Sequence, residues 1–268
     1  MENGNVSWRK VGRLPRPLAY GVSVSWGDSV ICIGGSDAER HYADAFTLTW
    51  RDGQLSEHQL PPLPIPLSGA CGALGDDVVF VAGGSLEPGE QSASNRCFAL
   101  DLAAKERTWR EIAPLPGAGR LLPVAATHSG TFYVIGGAAL HSGNGRNSRI
   151  YLKEVWSFKS DEGWRQLADL PKPRVAAPSP APVLNGRILL VAGDDGSRAD
   201  FQPVAEHPGF PANILAYDIG HDRWTDAGET PAPRATLPSV QWRDLFVFPS
   251  GEVRPGRRSP EVWALSPR

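Results

Sequence analysis

The chain has 268 residues, of which 41% are hydrophobic and 21% are charged, so it can fill a sizeable hydrophobic core and is not a disordered chain. The formal net charge of -2 gives no reason to expect a nucleic acid or an anionic membrane surface as a partner. No apolar stretch approaches the ~18 residues of a membrane-spanning helix. The first residues lack the charged-then-apolar layout of a signal peptide, which favours a cytoplasmic location.

The composition favours short strands joined by many turns. The chain contains 29 glycines, 25 prolines and 9 tryptophans, a bias typical of all-β proteins. The three cysteines, Cys32, Cys71 and Cys97, are far apart, and none lies in a CxxC motif. Neither a disulfide framework nor a metal site is therefore expected.

A β-rich segment that ends in a Gly-Gly-like doublet recurs five times along the chain. The doublets start at residues 34, 83, 136, 193 and 250. A proline precedes each doublet by 19 to 22 residues. Four of these prolines follow a tryptophan by seven residues, and the tryptophans are Trp8, Trp109, Trp164 and Trp224. This regular spacing predicts a repeat architecture.

Each repeat is predicted to contain four antiparallel strands. In the first repeat they are a small apolar strand over residues 21–26, a strand that ends at the doublet, a third strand over residues 45–50 and a fourth strand that carries the tryptophan. Four such strands at a period near ~50 residues are typical of a Kelch-type blade. We therefore expect an all-β, Kelch-type β-propeller, with five blades visible and one domain over residues 1–268. No segment has the pattern of an amphipathic helix.

The two ends of the chain are expected to meet. Residues 8–11 have the pattern of a fourth strand, and residues 261–265 have the pattern of a third strand. Pairing between them would complete the last blade and close the ring, which removes exposed sheet edges.

Function is expected on the face that carries the long loops between second and third strands. The fifth of these loops places Glu252 among Arg254, Arg257 and Arg258. A carboxylate can act as a general base, and an arginine binds a substrate carboxylate through two parallel hydrogen bonds. A solvated loop with local ion pairs is also compatible with this composition.

Other long loops on this face contribute further candidates. Those for substrate binding, together with Arg254, are Arg40, His41, Asp195 and His207. A solvated loop histidine, or an aspartate that accepts turn amides, is the structural alternative for these residues.

The fifth loop also resembles a known family. Residues 251–259, Gly-Glu-Val-Arg-Pro-Gly-Arg-Arg-Ser, are similar to the G-E-x-[KR]-P-G-x-R-[ST] segment of the N-acetylneuraminate epimerases, also called sialic acid mutarotases, which include the cyclically permuted mutarotases. The stretch Ala19-Tyr20-Gly21-Val22-Ser23 resembles another part of that family.

The resemblance implies a cofactor-independent isomerase that interconverts the anomers of N-acetylneuraminate or a related sugar acid. It implies that Glu252 accepts a proton and that Arg258 is its partner in the cavity. The small-molecule sugar acid would be the main partner, and the oligomeric state is left open. The family ring has six blades, whereas five are visible here, and the absent blade would lie between the fifth repeat and the first.

Other functions remain open at this point. One alternative is a non-catalytic Kelch propeller that binds a protein or carbohydrate through its long-loop face, or an inactive chain that lacks one family blade. Hydrolytic sialidases carry Ser-x-Asp-x-Gly-x-x-Trp boxes, and the nearest segment here, residues 160–164, has the wrong spacing. Galactose-oxidase chemistry needs a copper ligand set that the scattered histidines and tyrosines do not suggest.

Overall fold

The protein is a five-bladed β-propeller in which five antiparallel sheets surround a central channel. This computed structural model describes residues 9–14, 16–89, 93–143 and 146–266. The strands of blade one are β1 (Val22–Trp26), β2 (Ser29–Ile33), β3 (Ala45–Arg51) and β4 (Gln54–Leu60). The strands of blade two are β5 (Ser68–Gly75), β6 (Val78–Ser85), β7 (Cys97–Asp101) and β8 (Arg110–Ile112). The predicted all-β propeller is thus confirmed.

Blades three to five carry the same core with insertions between the second and third strands. The strands of blade three are β9 (Val124–His128), β10 (Thr131–Ile135), the inserted hairpin β11 (Ala138–Gly143) and β12 (Arg146–Tyr151), then β13 (Val155–Lys159) and β14 (Gly163–Gln166). The strands of blade four are β15 (Val183–Leu184), β16 (Arg187–Val191), β17 (Asn213–Asp218) and β18 (Arg223–Glu229). The strands of blade five are β19 (Val240–Trp242), β20 (Leu245–Pro249), the inserted hairpin β21 (Glu252–Arg254) and β22 (Arg257–Arg258), then β23 (Val262–Leu265).

Helical structure is minimal. Within the described ranges it amounts to one 3₁₀ turn, Val204–Glu206, in the long loop of blade four. No helix there is long and apolar enough to cross a membrane.

The doublets join each blade to the next. Both residues of a doublet have positive φ, as at Gly83 (75°) and Gly84 (92°). In blades one to four, the second amide of the doublet donates to a carbonyl in the loop that leads into the first strand of the next blade, as from Gly84 to Arg120 at 2.8 Å. A Cβ at Gly83 would lie 2.7 Å from the same carbonyl oxygen, so glycine permits this close approach.

One doublet starts one residue earlier than predicted. In blade four the two positive-φ residues are Ala192 and Gly193, at 54° and 85°. The sequence prediction placed the start at Gly193 because glycine alone signals the conformation. Alanine adopts it here, and the amide of Gly193 donates to the carbonyl of Arg234 at 3.0 Å.

The hydrophobic core consists of four clusters, each between two neighbouring blades, from blades one and two through blades four and five. The repeat tryptophans seal three of these interfaces. The indole Nε1 of Trp109, Trp164 and Trp224 donates to a carbonyl of the preceding blade, at 2.7, 2.7 and 2.9 Å. These three tryptophans therefore link neighbouring blades. Among the described residues, no such cluster joins blade five to blade one.

The start of the described chain lies against blade one. Residues 9–14 are in no strand. The guanidinium of Arg9 lies 5.2 Å from the ring centre of Trp50, and Gly12 lies beside Leu55. Residues 8–11 were predicted to form a strand that pairs with residues 261–265. Trp8 lies outside the described residues, but residues 9–11 form no strand and lie against blade one, so the prediction is wrong for them. β23 pairs with β20.

Candidate functional site

The mouth of the channel on the long-loop face is edged by five residues with left-handed backbone, one from each blade. They are Tyr20, Gly69, Leu122, Ala176 and Thr236, with φ between 51° and 67°. The amide of each of the last four donates to the carbonyl of the one before it, at 2.7 to 2.9 Å. This conformation costs a non-glycine residue ~1–2 kcal/mol, so the hydrogen bonds hold these residues in a strained but fixed rim.

The rim is interrupted where blade five meets blade one. The carbonyl of Thr236, the last in the series, faces Arg258 instead of the amide of Tyr20. The distance from Arg258 Nη1 to this oxygen is 3.5 Å. A guanidinium therefore occupies the break in the rim.

A cavity of about 490 Å³ lies inside the rim, and all five blades contribute to its wall. Its size is in the range of small-molecule sites. Much of the wall is backbone and small side chains, with hydroxyl groups from Ser23, Ser179 and Thr236. Among the described residues that line the cavity, Arg258 is the one that carries a charge. A ligand in this cavity would meet one fixed positive charge.

Glu252 and Arg258 form a pair on the inserted hairpin of blade five. They are directly opposite each other in the β21–β22 register. Arg258 Nη2 donates to Glu252 Oε1 at 3.3 Å, and the two side chains are 18% and 50% exposed, for Glu252 and Arg258. The backbone of Glu252 exchanges two hydrogen bonds with Ala235, at 2.8 and 3.0 Å, which ties the hairpin to the rim. Glu252 thus reaches the cavity wall through Arg258.

Glu252 stands at a repeated position. The residue that follows each doublet bridges to the loop that leads into the first strand of its own blade, and these residues are Ser36, Ser85, Ala138, Asp194 and Glu252. Blade four therefore has a carboxylate, Asp194, at the same place. Its Oδ2 accepts a hydrogen bond from Tyr151 at 2.8 Å. Glu252 instead pairs with a cavity-lining arginine.

The candidates in the first and fifth loops have other partners. The ring Nδ1 of His41 lies 3.0 Å from the carbonyl oxygen of Ser85, in blade two. The guanidinium of Arg40 lies 5.0 Å from the ring centre of Tyr42. Arg254 is part of the hairpin that carries Glu252. None of these three candidates is among the described residues that line the cavity.

Asp195 and His207 are buried in the long loop of blade four. Asp195 Oδ1 accepts hydrogen bonds from both the amide and the hydroxyl of Ser197. Its Oδ2 lies 4.0 Å from Nη1 of the fully buried Arg174. His207 Nδ1 accepts a hydrogen bond from the amide of Gly209 at 3.0 Å. Both side chains satisfy groups of the protein itself, and neither lies in the described lining of the cavity.

Sequence reasoning missed the rim itself. Of its five members, Tyr20 was noted only as part of a family resemblance, and the other four were not noted. The available signal was the repeated position just before each small apolar first strand. That signal does not reveal a positive φ, because leucine and threonine rarely adopt it.

Comparison with known proteins identifies the family. The family model for N-acetylneuraminate epimerase matches residues 60–198, which is more than half of the chain. The chain belongs to the N-acetylneuraminate epimerase family. The matched range ends before the hairpin that carries Glu252 and Arg258.

Curated relatives agree with this assignment. The N-acetylneuraminate epimerase of Haemophilus influenzae (strain PittEE) is 29% identical over 227 residues, which are 75% of this chain and 58% of the relative. The N-acetylneuraminate epimerase of Escherichia coli O1:K1 is 26% identical over 243 residues, which are 82% of this chain and 64% of the relative. The chain thus spans less than two thirds of the length of these relatives.

The solved structure of YjhT has the same fold. It superposes with a TM-score of 0.71 and 16% sequence identity, over 97% of this chain and 85% of that chain.

Proposed function

We propose that the protein interconverts the anomers of N-acetylneuraminate, or of a related sugar acid, in the central cavity. The observation that carries this proposal is the pairing of Glu252 with Arg258, since Arg258 lines the cavity wall. The names of the curated relatives support the choice of substrate. Their greater length leaves the activity of this chain to be tested.

Arg258 is the proposed anchor for the substrate carboxylate. Its guanidinium has five N–H donors, and the two contacts that it makes within the protein are long, at 3.3 and 3.5 Å. A bidentate contact with a carboxylate is shorter and stronger than either. In a 2-keto sugar acid the carboxylate is attached to the anomeric carbon itself. Holding this carboxylate at Arg258 therefore brings the anomeric hydroxyl close to Glu252.

Glu252 is the proposed general base. It takes the proton from the anomeric hydroxyl, and the electron pair of that O–H bond forms the ketone as the bond between the anomeric carbon and the ring oxygen breaks. The ring oxygen takes a proton, either from the Glu252 acid or from water. Rotation about the bond to the ketone carbon and the reverse sequence then close the ring on the other face. Proton transfer alone accomplishes this change, so the proposed reaction consumes no cofactor.

The test is the rate of anomer interconversion followed by NMR, starting from the α anomer of N-acetylneuraminate. We expect the protein to accelerate the approach to equilibrium over buffer at the same pH. The acceleration should saturate with substrate concentration, since the cavity binds one ligand. A rate equal to that in buffer would refute the proposed activity.

A further inference from the structure

A second cavity lies far from the channel mouth, in the cleft between blades three and four on the face of the short turns. Its volume is about 320 Å³. We call it the interblade cleft and define it by His128, Thr131, Tyr133, Ser157, Lys159 and Arg165 of blade three together with Tyr217 of blade four. The catalytic proposal uses none of these residues.

The neighbouring interface, between blades two and three, is filled with phenyl rings. Phe80 stacks on Phe132 with ring centres 5.0 Å apart, and Phe158 packs on Trp164 at 5.1 Å. The strand registers show which residues take these places one blade later. Tyr133 replaces Phe80, Ile188 replaces Phe132 and Tyr217 replaces Phe158. One phenyl ring is thus lost, and the remaining two aromatic rings gain hydroxyl groups.

The rest of this face of blade three is also more polar than the same face of blade two. Ser157 stands where blade two has Ala99. His128 and Thr131 stand where blade two has Gly75 and Val78. An interface that is apolar one blade earlier therefore becomes a cleft lined with hydrogen-bonding groups.

One cation in the cleft forms no ion pair among the described residues. Lys159 Nζ lies 2.8 Å from Oε1 of Glu162, which also lines the cleft, so these two charges compensate each other. Tyr217 already donates its hydroxyl to Asp222 at 2.7 Å. Arg165 forms no ion pair with any carboxylate in the described part of the chain, and it lies opposite Ser157 in the register of β13 and β14.

We propose that the interblade cleft is a second binding site, which takes a hydroxylated organic anion. Arg165 binds the anionic group, as carboxylate or phosphate. The ring of His128 and the hydroxyl groups of Thr131, Tyr133 and Ser157 bind the hydroxyl groups of the ligand. The volume admits a molecule of about the size of a sugar acid or a sugar phosphate and exceeds what a bare inorganic ion fills.

The proposal is tested with gluconate, glucose 6-phosphate and uncharged glucose as probes. Binding is read from the ring signals of the histidines in ¹H–¹³C NMR spectra, with the signal of His128 assigned from a His128→Gln variant. We expect the two anions to shift the His128 signal and glucose at the same concentration to leave it unchanged. Whichever of the two anions binds with the higher affinity then shows whether the cleft prefers carboxylate or phosphate. No shift with either anion, or an equal shift with glucose, overturns the proposal.

Arg165→Gln should weaken anion binding about tenfold or more, because it removes a charge-assisted hydrogen bond. Arg110→Gln is the matched control, since Arg110 occupies the same register position in blade two, beside the interface filled with phenyl rings. Both arginines are exposed, so both variants should melt with the parent. Tyr133→Phe introduces the phenylalanine that blade two has at this position and removes the hydroxyl group. It should weaken gluconate binding several-fold. Equal loss in Arg165→Gln and Arg110→Gln contradicts the assignment.

Discussion

Two kinds of arginine in this propeller make similar contacts but differ in burial and in whether they recur from blade to blade. Arg120, Arg174 and Arg234 lie in the loops that lead into blades three, four and five, and each is at most 4% exposed. Arg258, in contrast, is a single arginine on the inserted hairpin of blade five, and its side chain is 50% exposed. Repetition and burial mark an arginine of the framework, whereas a single exposed copy on the cavity wall marks one that is available to a ligand.

The buried arginines share one arrangement. The Nη2 atom of each donates to the residue at the start of the third strand of its own blade, and these residues are Glu154, Asn213 and Glu261. A carboxylate therefore balances the charge in blades three and five. Blade four has a neutral amide instead, and the charge of Arg174 is met by Asp195 from the adjacent loop. The sequence suggested Asp195 as a candidate for substrate binding. Its contact with Arg174 favours a role in the framework.

The largest effect is expected from Glu252→Gln. Glutamine keeps the size and can still contact Arg258, but it cannot accept a proton. A general base contributes ~10²–10⁴-fold, so the anomerisation rate should fall by about that factor. The melting temperature should change little because, among the described residues, the Glu252 side chain hydrogen-bonds only to Arg258, on the same hairpin. NMR rates measured beside a thermal melt separate the two quantities.

Asp194→Asn is the matched control, since Asp194 occupies the position of Glu252 one blade earlier. This variant should keep the parental rate. An equal loss of rate in the two variants would mean that the carboxylates that follow the doublets act through structure. Glu252→Gln with the full parental rate would remove Glu252 from the mechanism.

A large loss of stability is expected from Glu154→Gln. Arg120 is fully buried, and its Nη2 lies 2.7 Å from Glu154 Oε2. Removing one partner of a buried ion pair leaves an uncompensated charge. Because Glu154 is itself 36% exposed, we expect the free energy of unfolding to fall by about 2–3 kcal/mol, at the low end of such losses.

The control is Glu111→Gln, which breaks the exposed pair with Arg96 at 2.7 Å. Surface pairs contribute about 0–1 kcal/mol, so denaturant unfolding should show a much smaller change. Similar losses in both variants would contradict the distinction between buried and exposed arginine pairs.

The repeat was predictable because its marks are chemically simple. A glycine doublet, a proline and a tryptophan recur at fixed spacing, and each has one physical task in the blade. The shared position of Asp194 and Glu252 became visible only in the strand pairing, because the fourth doublet was predicted to start one residue late, which made Asp194 its second residue. The framework role of Asp195 also depends on a contact with Arg174, which is distant in sequence and invisible to spacing arguments.

The cavity could be predicted only in part. Glu252 and Arg258 stood out in the sequence because the fifth loop concentrates charge at a motif, and of the two Arg258 lines the cavity. The rim was missed because its members share a backbone conformation and not a side-chain type. Arg40, His41 and His207 are chemically capable residues on long loops, yet none lies in the described lining of the cavity. Their predicted role in substrate binding stays a prediction.

A moderate effect on binding is expected from Arg258→Lys. Lysine keeps the charge but loses the planar pair of donors that matches a carboxylate. We expect the affinity for N-acetylneuraminate to fall about tenfold, which corresponds to about 1.4 kcal/mol, and the affinity for an uncharged N-acetylated sugar to stay unchanged. Titration calorimetry with both ligands measures this difference.

Arg257→Lys is the control for this variant, because Arg257 is the neighbour of Arg258 and is not among the residues that line the cavity. It should bind both ligands as the parent does. An equal loss for the charged and the uncharged ligand in Arg258→Lys would reject a carboxylate-specific role.

The smallest effect is expected from Asp195→Asn, and it depends on pH. Burial alone would raise the pKa of the Asp195 carboxyl, but the hydrogen bonds from Ser197 and the charge of Arg174 outweigh it and hold the pKa below the usual 3.8. The native state therefore favours the ionised form, and this contribution to stability is present above the pKa of the unfolded chain. It is lost as the pH falls through the lower pKa of the folded state.

Asparagine keeps the hydrogen bond from Ser197 but not the charge that faces Arg174. We expect Asp195→Asn to lower the free energy of unfolding by about 1 kcal/mol at neutral pH, or the melting temperature by roughly 2–4 °C. The gap between parent and variant should stay constant down to about pH 5 and narrow below about pH 4, where the parental carboxyl takes up its proton. Ligand affinity should be unaffected if Asp195 belongs to the framework. A variant that has the melting temperature of the parent at neutral pH but binds N-acetylneuraminate more weakly would support a role for Asp195 in substrate binding.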